Sequence, residues 1–336
     1  MRAFCLSIHA RYRCRHSGAC CTAGWPIPIE AERAASLRTR GVGAHTGAQA
    51  TFVPAPGNPG LLHVAASAAG ACVFFDEAHG RLCTIHRDAG EAVMPSACRN
   101  FPRVALRDGR GLFVTLSHYC PTAARLLLSA SEISIVEAPA TMTLSGDVEG
   151  LDASGVLPPL LRPDMLADLE GYGAWERAGI GILGDRVRRA ADALAVIRSA
   201  TRDAVSWRPG PESLAARVER AFARADVATP PPARSRSPLD LPTKAFLAAH
   251  LIANWAAYQN GGLSAVVEAL DDVLAVLQAE LAERGLDREM TSVARPEDIA
   301  DRFVDAVRAV DLRVRHTTDH TTPHVRTGSL PSLRHD

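Results

Sequence analysis

Apolar and polar residues alternate with a helical period through most of the C-terminal half of the chain. Apolar positions recur three or four residues apart, which is the spacing of one helix face. In one segment, Val266, Val267, Leu270, Val273 and Leu274 fall on a single face. The pattern predicts helices at 185–200, 212–225, 241–260, 263–284 and 296–312.

The N-terminal part has a shorter and more mixed pattern. Two alternating apolar runs joined by turn residues predict a β-hairpin over 101–116, with its turn at 108–111. We expect a short helix over 29–40, ended by Gly41, and a short strand over 133–136. Residues 41–70 are rich in Gly, Ala and Pro, so we expect a long connection without regular structure there.

Together these patterns predict an α+β fold with two domains and a tail. The first domain, residues 1–150, is expected to be small and irregular with a β-hairpin. The second, residues 155–314, is expected to be mainly helical, with a flexible Pro/Ser/Arg connector at 229–238. The polar segment 315–336 contains several histidines and is expected to be a disordered tail.

Charge and hydropathy exclude some classes of partner. The chain has 37 basic and 37 acidic residues, and this zero net charge argues against a nucleic-acid binder. No segment has the roughly 18 uncharged apolar residues of a membrane-spanning helix, and the first apolar run is too short for a signal peptide. We therefore expect a cytoplasmic protein that does not bind membranes.

The cysteines are confined to the first part of the chain. All eight fall within the first 120 of the 336 residues, and they are Cys5, Cys14, Cys20, Cys21, Cys72, Cys83, Cys98 and Cys120. Three interpretations compete: structural disulfides, buried unreactive thiols, and metal or iron–sulfur ligands. Disulfides belong to oxidising compartments, and most of these cysteines have polar or Gly/Pro neighbours rather than apolar ones, so metal ligation is favoured.

Local sequence adds two electrostatic expectations. Arginines lie close to several cysteines, as at 13 and 15, 81 and 87, and 99 and 103. They either lower the thiol pKa values and offset thiolate charge or are ordinary surface charges. Cys120 precedes Pro121 at the start of an expected helix, which places it at the N-cap. Free backbone N–H groups and the helix dipole there favour a thiolate.

Four cysteine-containing blocks resemble a known family. The string Cys14-x-x-Ser17-Gly18-x-Cys20-Cys21 resembles the C-x-x-C-G-x-C-C signature of the YkgJ-type cysteine-cluster proteins, a zinc- or iron-chelating family. The blocks Cys72…Cys83, Cys98-Arg-Asn-Phe-Pro102 and Ser117-His-Tyr-Cys120-Pro121 follow in the same order as in that family. Within it, Gly24-Trp25-Pro-Ile27-Pro-Ile29-Glu30 is most similar to the branch that contains flagellin lysine N-methylase.

The resemblance implies a metal centre in the N-terminal domain, either a [4Fe-4S] cluster or zinc. Ser17 replaces the second cysteine of the signature, and a hydroxyl is a poor ligand for soft iron or zinc. His16, His86 and His118 are possible substitutes. The ligand candidates that remain are Cys14, Cys20, Cys21, Cys72, Cys83, Cys98 and Cys120.

Three functions follow as alternatives. The resemblance implies methyl transfer from S-adenosylmethionine to a lysine of a protein such as flagellin, for which His118, His86, Asp76 or Glu77 could remove the ammonium proton. The second alternative is a non-catalytic zinc- or iron-binding protein in which the metal organises the loops or is handled as cargo. The third is a redox-active thiol protein with Cys120 as its nucleophile.

Overall fold

The computed structural model describes residues 1–43, 50–142, 144, 150–155, 158–229, 237–259, 261–286 and 295–316. Its strands are β1 (Ala3–Leu6), β2 (Ile27–Ile29), β3 (Phe52–Ala55), β4 (Asn58–Val64), β5 (Phe75–Asp76), β6 (Leu82–Cys83), β7 (Arg103–Asp108), β8 (Gly111–Leu116), β9 (Ile135–Glu137), β10 (Gly150–Asp152), β11 (Leu160–Arg162) and β12 (Met165–Leu166). Its α-helices are α1 (Ala31–Thr39), α2 (Thr84–Ala89), α3 (Ser96–Asn100), α4 (Pro121–Leu128), α5 (Leu169–Gly184), α6 (Ala190–Ala204), α7 (Leu214–Ala228), α8 (Asp240–Leu251), α9 (Gly262–Glu283) and α10 (Pro296–Asp311). The predicted α+β class is confirmed, with most strands in the first half and long helices in the second.

A five-stranded sheet is built around the predicted hairpin. Its order is β10-β7-β8-β1-β9, with β1 parallel to β8 and β10 parallel to β7. The hairpin of β7 and β8 is confirmed, and Asp108 pairs with Gly111 across its turn. Gly111 has a φ of 144°, and a Cβ there would lie 2.7 Å from the carbonyl oxygen of Arg2, so the approach of β1 requires glycine.

Residues 41–70 were expected to lack regular structure, and this expectation is wrong because they contribute to a smaller sheet. This segment contains β3 and β4, which pair with β2 in the antiparallel order β2-β4-β3. The strands are short and include Pro54 and Pro59, whose turn-like composition concealed them in the sequence. Helix α1 packs Ala34 and Leu37 into the core beside this sheet and ends close to Gly41, as expected.

The helical half follows the sequence pattern in the main, but α6 spans Ala190–Ala204 where 185–200 was predicted, the short strands β11 and β12 lie in it, and two larger differences occur. The segment 241–260 was predicted as one helix, but α8 ends at Leu251, and Ala253 has a φ of 55° that no α-helix contains. Helix α5 was not predicted, because its five glycines lower its helix propensity. Two of these glycines allow close packing: a Cβ at Gly171 would lie 2.4 Å from Leu214, and one at Gly179 would lie 2.8 Å from Leu251.

The largest core joins the five-stranded sheet to the helices. Leu106 and Phe113 of the hairpin pack in the same cluster as Trp175 of α5 and Phe246 of α8. Trp175 is fully buried, and its Nε1 donates a hydrogen bond of 2.8 Å to Thr201 Oγ1. The division of the chain into one domain at 1–150 and a second at 155–314 stays a prediction.

Some expectations fall outside the described residues. These are most of the connector at 229–238 and the tail beyond residue 316. Over the residues that the structure describes, no helix is both long and apolar enough to cross a membrane.

Candidate metal-binding site

Five of the predicted ligands lie in one group, which we call the five-cysteine group: Cys20, Cys21, Cys72, Cys83 and Cys98. Each comes from a short element or a turn. Cys20 and Cys21 lie in a single 3₁₀ turn, Ala19–Cys21, and Cys72 lies just before β5. Cys83 ends β6 and caps α2, while Cys98 lies within the one-turn helix α3.

The turn that carries Cys20 and Cys21 is held against the β5–β6 hairpin by a glycine. Gly18 has a left-handed φ of 74°, and a Cβ there would lie 2.5 Å from the ring of Phe75. Phe75 pairs with Cys83 across the hairpin. In addition, the backbone N–H of Cys72 donates a 2.7 Å hydrogen bond to the carbonyl oxygen of Cys21. The small size of Gly18 and the hydrogen bond from Cys72 N therefore bring the segments that carry Cys20 and Cys21, Cys72 and Cys83 together.

Glu30 positions the segment that carries Cys98. Its carboxylate accepts hydrogen bonds from Ser96 Oγ and, at 3.2 Å, from Ser96 N at the start of α3. Arg33 Nε donates to the same carboxylate at 3.1 Å. Burial alone would raise the pKa of Glu30, but the hydrogen bonds from Ser96 and the charge of Arg33 outweigh it and lower that pKa.

The thiols of the group influence one another electrostatically. The pKa of Cys72 is raised to about 12, chiefly by burial and also by the charges of Cys83 and Cys20, while a hydrogen bond from the backbone of Phe74 opposes the rise. Burial raises the pKa of Cys98 well above its usual value, with added repulsion from Cys72, Cys83 and Cys20. Several thiolates without a counterion are therefore unfavourable in the half-buried five-cysteine group.

Two of the neighbouring arginines, Arg87 and Arg103, are engaged with other groups. Arg87 Nη1 donates to Asp76 at 2.8 Å, and its Nε donates to Asp88 at 2.7 Å. Arg103 Nη2 donates to the carbonyl oxygen of Thr141 at 2.6 Å, and its guanidinium lies over the ring of Tyr12. Asp76, one of the suggested bases, is occupied by this pairing with Arg87.

Cys14 and Cys120 form a second group, with Tyr12. The hydroxyl of Tyr12 lies 3.7 Å from Cys120 Sγ, and the charge of Cys14 acts on both residues. Cys120 is the N-cap of α4, with Pro121 at the first helical position, as predicted. The expected thiolate is not confirmed, because burial raises the pKa of Cys120 despite backbone N–H donors from Ala123 and Thr122.

The three histidines that could replace the missing cysteine ligand at Ser17 do not all lie together. Cys14 is exposed, and its sulfur accepts from the backbone N–H of His16 at 3.4 Å. The ring centroids of His16 and His86 lie 5.3 Å apart. His118 is fully buried, and its Nε2 lies 3.3 Å from His9 Nε2. Cys5 is fully buried in the five-stranded sheet, where burial raises its pKa to about 11.

Two buried polar clusters were missed at the sequence level. His9, His118 and His250 lie near Asp311, whose Oδ2 accepts from Ser117 Oγ at 2.6 Å. In the other cluster, Arg110 bridges two buried carboxylates. Its Nη2 lies 2.8 Å from Asp108 Oδ2 and its Nη1 lies 3.0 Å from Glu176 Oε2. Local sequence spacing gave no signal for either cluster, because Glu176 lies 66 positions from Arg110 and Asp311 lies 194 positions from Ser117.

The eight cysteines are all free thiols, so the disulfide interpretation is not supported. Among the described residues, no set of three or more His, Cys, Asp or Glu side chains is already arranged to hold a metal ion. The chemistry of the donors nevertheless fits zinc or iron, because soft thiolate sulfur is the ligand that both prefer. Fold and site thus define a cysteine-rich region with soft donors attached to a helical region.

A comparison with family models gives this region a narrower description. Residues 13–121 match the CxxCxxCC family, described as a putative zinc- or iron-chelating domain. The match includes every cysteine of both groups and ends one residue after Cys120. No curated protein and no solved structure gave a significant match. Zinc or iron chelation is therefore supported, and the likeness to flagellin lysine N-methylase is not confirmed.

Proposed function

We propose that the chain is a zinc- or iron-binding protein whose metal is held by the five-cysteine group. The observation that carries the proposal is the grouping itself: sulfur atoms from four separate segments lie within electrostatic reach of one another, inside the region that the family model matches. In the metal-free chain burial and mutual proximity keep Cys72 and Cys98 as neutral thiols, because they raise both pKa values. A cation bound by thiolates would remove the repulsion between them.

The group offers more donors than a four-coordinate site needs. Cys72, Cys83 and Cys98 come from three different elements and each provides one independent sulfur. Cys20 and Cys21 share one turn, with their sulfur atoms 3.8 Å apart, and one of the two supplies the fourth donor, so the loss of Cys98 leaves only three. Their side chains have to rotate to close around an ion. The bound metal would fix β5, β6, α2 and α3, which are too short to be stable alone.

The test is metal content in matched variants of the full chain. Protein purified without oxygen is analysed for zinc and iron and by absorption, since an iron–sulfur cluster is coloured and zinc is not. We expect Cys98→Ser to lose the metal and Cys5→Ser, a buried cysteine outside both groups, to keep it. Retention of full metal content by Cys98→Ser would overturn the assignment.

Cys120→Ser and Cys14→Ser define the limits of the site. If the five-cysteine group is sufficient, both variants keep the metal, because the second group lies with Tyr12. Loss of metal from both would extend the ligand set to all seven cysteines that the resemblance implies. Metal analysis and absorption of the same samples distinguish a [4Fe-4S] cluster from zinc.

Methyl transfer from S-adenosylmethionine to a protein lysine stays a prediction of the resemblance alone. It is tested by incubating the metal-loaded chain with labelled S-adenosylmethionine and flagellin. Label on a flagellin lysine, absent with Cys98→Ser, would add catalysis to metal binding. A loaded chain that transfers no label favours the non-catalytic alternative.

A further inference from the structure

The adjacent cysteines of the signature make a direct sulfur–sulfur contact. Cys20 Sγ lies 3.8 Å from Cys21 Sγ, and both side chains are half-buried, so small solutes reach them. No other pair of sulfur atoms is in contact within the described part of the chain. The pair is therefore distinct from Cys72, Cys83 and Cys98, which are separated from one another by whole elements.

The turn around the pair fixes this contact. The backbone N–H of Cys21 donates a 2.9 Å hydrogen bond to the carbonyl oxygen of Gly18, and the carbonyl oxygen of Cys21 accepts from Cys72 N at 2.7 Å. The left-handed Gly18 starts the turn, and the ring of Phe75 prevents any side chain at that position. Two thiols are thus held next to each other at the edge of the five-cysteine group.

We propose that Cys20 and Cys21 form a peroxide-sensitive dithiol that closes to a vicinal disulfide and releases the metal. This inference rests on the proposed function. In the first step, one thiolate attacks a peroxide oxygen, the O–O bond breaks, and a sulfenic acid and hydroxide form; the hydroxide takes a proton to become water. The second thiolate then attacks the sulfenic sulfur, an S–S bond forms, and a second water leaves. Two thiols are oxidised and one hydrogen peroxide is reduced to two waters.

The geometry of neighbouring residues makes such a bond easy to reverse. Consecutive Cα atoms are about 3.8 Å apart, whereas ordinary disulfides join Cα atoms roughly 4.4–6.8 Å apart. A disulfide between neighbours is therefore strained, and strained, accessible disulfides are readily reduced by thiols. Its formation also has to distort the 3₁₀ turn and the hydrogen bond from Cys72 N. Cellular thiols would return the pair to its metal-binding state.

Closure would change the donor count at the site. Only Cys72, Cys83 and Cys98 remain as sulfur donors of the group, one fewer than a four-thiolate site requires. We therefore expect zinc affinity to fall at least tenfold on oxidation, and to recover after reduction. Bound metal shields the thiolates, so the loaded chain should oxidise more slowly than the metal-free one.

The first experiment uses the metal-free full chain, so its outcome does not depend on metal binding. The chain is treated with one equivalent of hydrogen peroxide, and its intact mass and proteolytic peptides are measured before and after dithiothreitol. We expect loss of two hydrogens, a bond that maps to Cys20 and Cys21, and full reversal. Cys20→Ser and Cys21→Ser should not form it, whereas Cys14→Ser should. A bond between other cysteines, or oxidation to sulfinic acid alone, would overturn the proposal.

The second experiment uses the zinc-loaded chain and a coloured zinc indicator. Peroxide should release most of the zinc, in proportion to the Cys20–Cys21 disulfide formed. If the disulfide forms and zinc stays bound, the release proposal is wrong while metal binding stands. If no zinc binds at the outset but the metal-free chain still forms the disulfide, the proposed function fails, and the dithiol remains as an independent redox pair.

Discussion

The cysteine-rich region and the helical region are stabilised in different ways. In the cysteine-rich region, β5, β6, α2 and α3 have two to six residues each and pack around a small apolar core that includes Phe74 and Ile85. In the helical region, α5 to α9 have 12 to 22 residues each and pack through fully buried apolar side chains such as Trp175 and Phe246. The difference teaches that the proposed metal would matter most in the cysteine-rich region, where short elements and a small core leave the most stability for an ion to add.

The largest expected effect is in the helical core. Trp175→Ala removes a fully buried ring and its hydrogen bond to Thr201, and we expect a loss of about 3–5 kcal/mol in the free energy of unfolding. Denaturant unfolding of the metal-free chain measures it. Val227→Ala on α7, where the side chain is 82% exposed, is the control and should change stability by less than about 0.5 kcal/mol. Equal effects of the two variants would contradict the assigned core.

The next effect concerns the junction between the two regions. Arg110, in the hairpin turn, pairs with Asp108 and with Glu176 of α5, and it lies between the rings of Phe113 and Tyr172. Arg110→Leu leaves two buried carboxylates without a counterion, and we expect a cost of about 3 kcal/mol. The double variant that also carries Glu176→Leu should recover part of this loss. Failure to recover any would mean that the guanidinium stabilises the fold by packing alone.

Removing the metal should loosen the cysteine-rich region and leave the helical region unchanged. A chelator is added to the loaded chain, and amide hydrogen exchange is followed peptide by peptide. We expect faster exchange in the β5–β6 hairpin, α2 and α3, and unchanged exchange in α5 to α9, because only the short elements depend on the ion. Faster exchange throughout the chain would mean that the metal stabilises both regions.

The smallest effect is a pH dependence confined to the β5–β6 hairpin. Hydrogen bonds from Arg87 and His79 lower the pKa of Asp76 to about 2. A carboxyl with a lowered pKa stabilises the folded state above its unfolded value of 3.8, and this contribution is lost as the pH falls through about 2. Asp76→Asn should abolish that acid transition, which is followed by the resonances of the hairpin. An unchanged transition in the variant would assign it to another group.

The two regions also differ in how far the sequence predicted them. In the helical half, four of five predicted segments match helices to within five residues at each end, because an amphipathic period extends over three or more turns. Helix α5 was missed since its glycines, required for contact with Leu214 and Leu251, lower the local propensity. In the cysteine-rich half, β3 and β4 were missed because their pairing with β2 is a long-range event in a Pro- and Gly-containing segment.

The sequence by itself determined the class of chemistry. Eight cysteines confined to 120 residues, with the spacing of one signature, are enough to predict zinc or iron chelation in residues 1–150, and the family model then matches residues 13–121. Side-chain type and local spacing are properties of the chain alone.

Only the tertiary structure decided which sulfur atoms lie together. It divided seven equivalent candidates into the group of five and the pair of Cys14 and Cys120, and it raised the pKa of Cys120, where local sequence had predicted a thiolate. The physical reason is that burial and proximity depend on segments far apart in sequence. Desolvation at a buried position outweighs the local effect of a helix N-terminus.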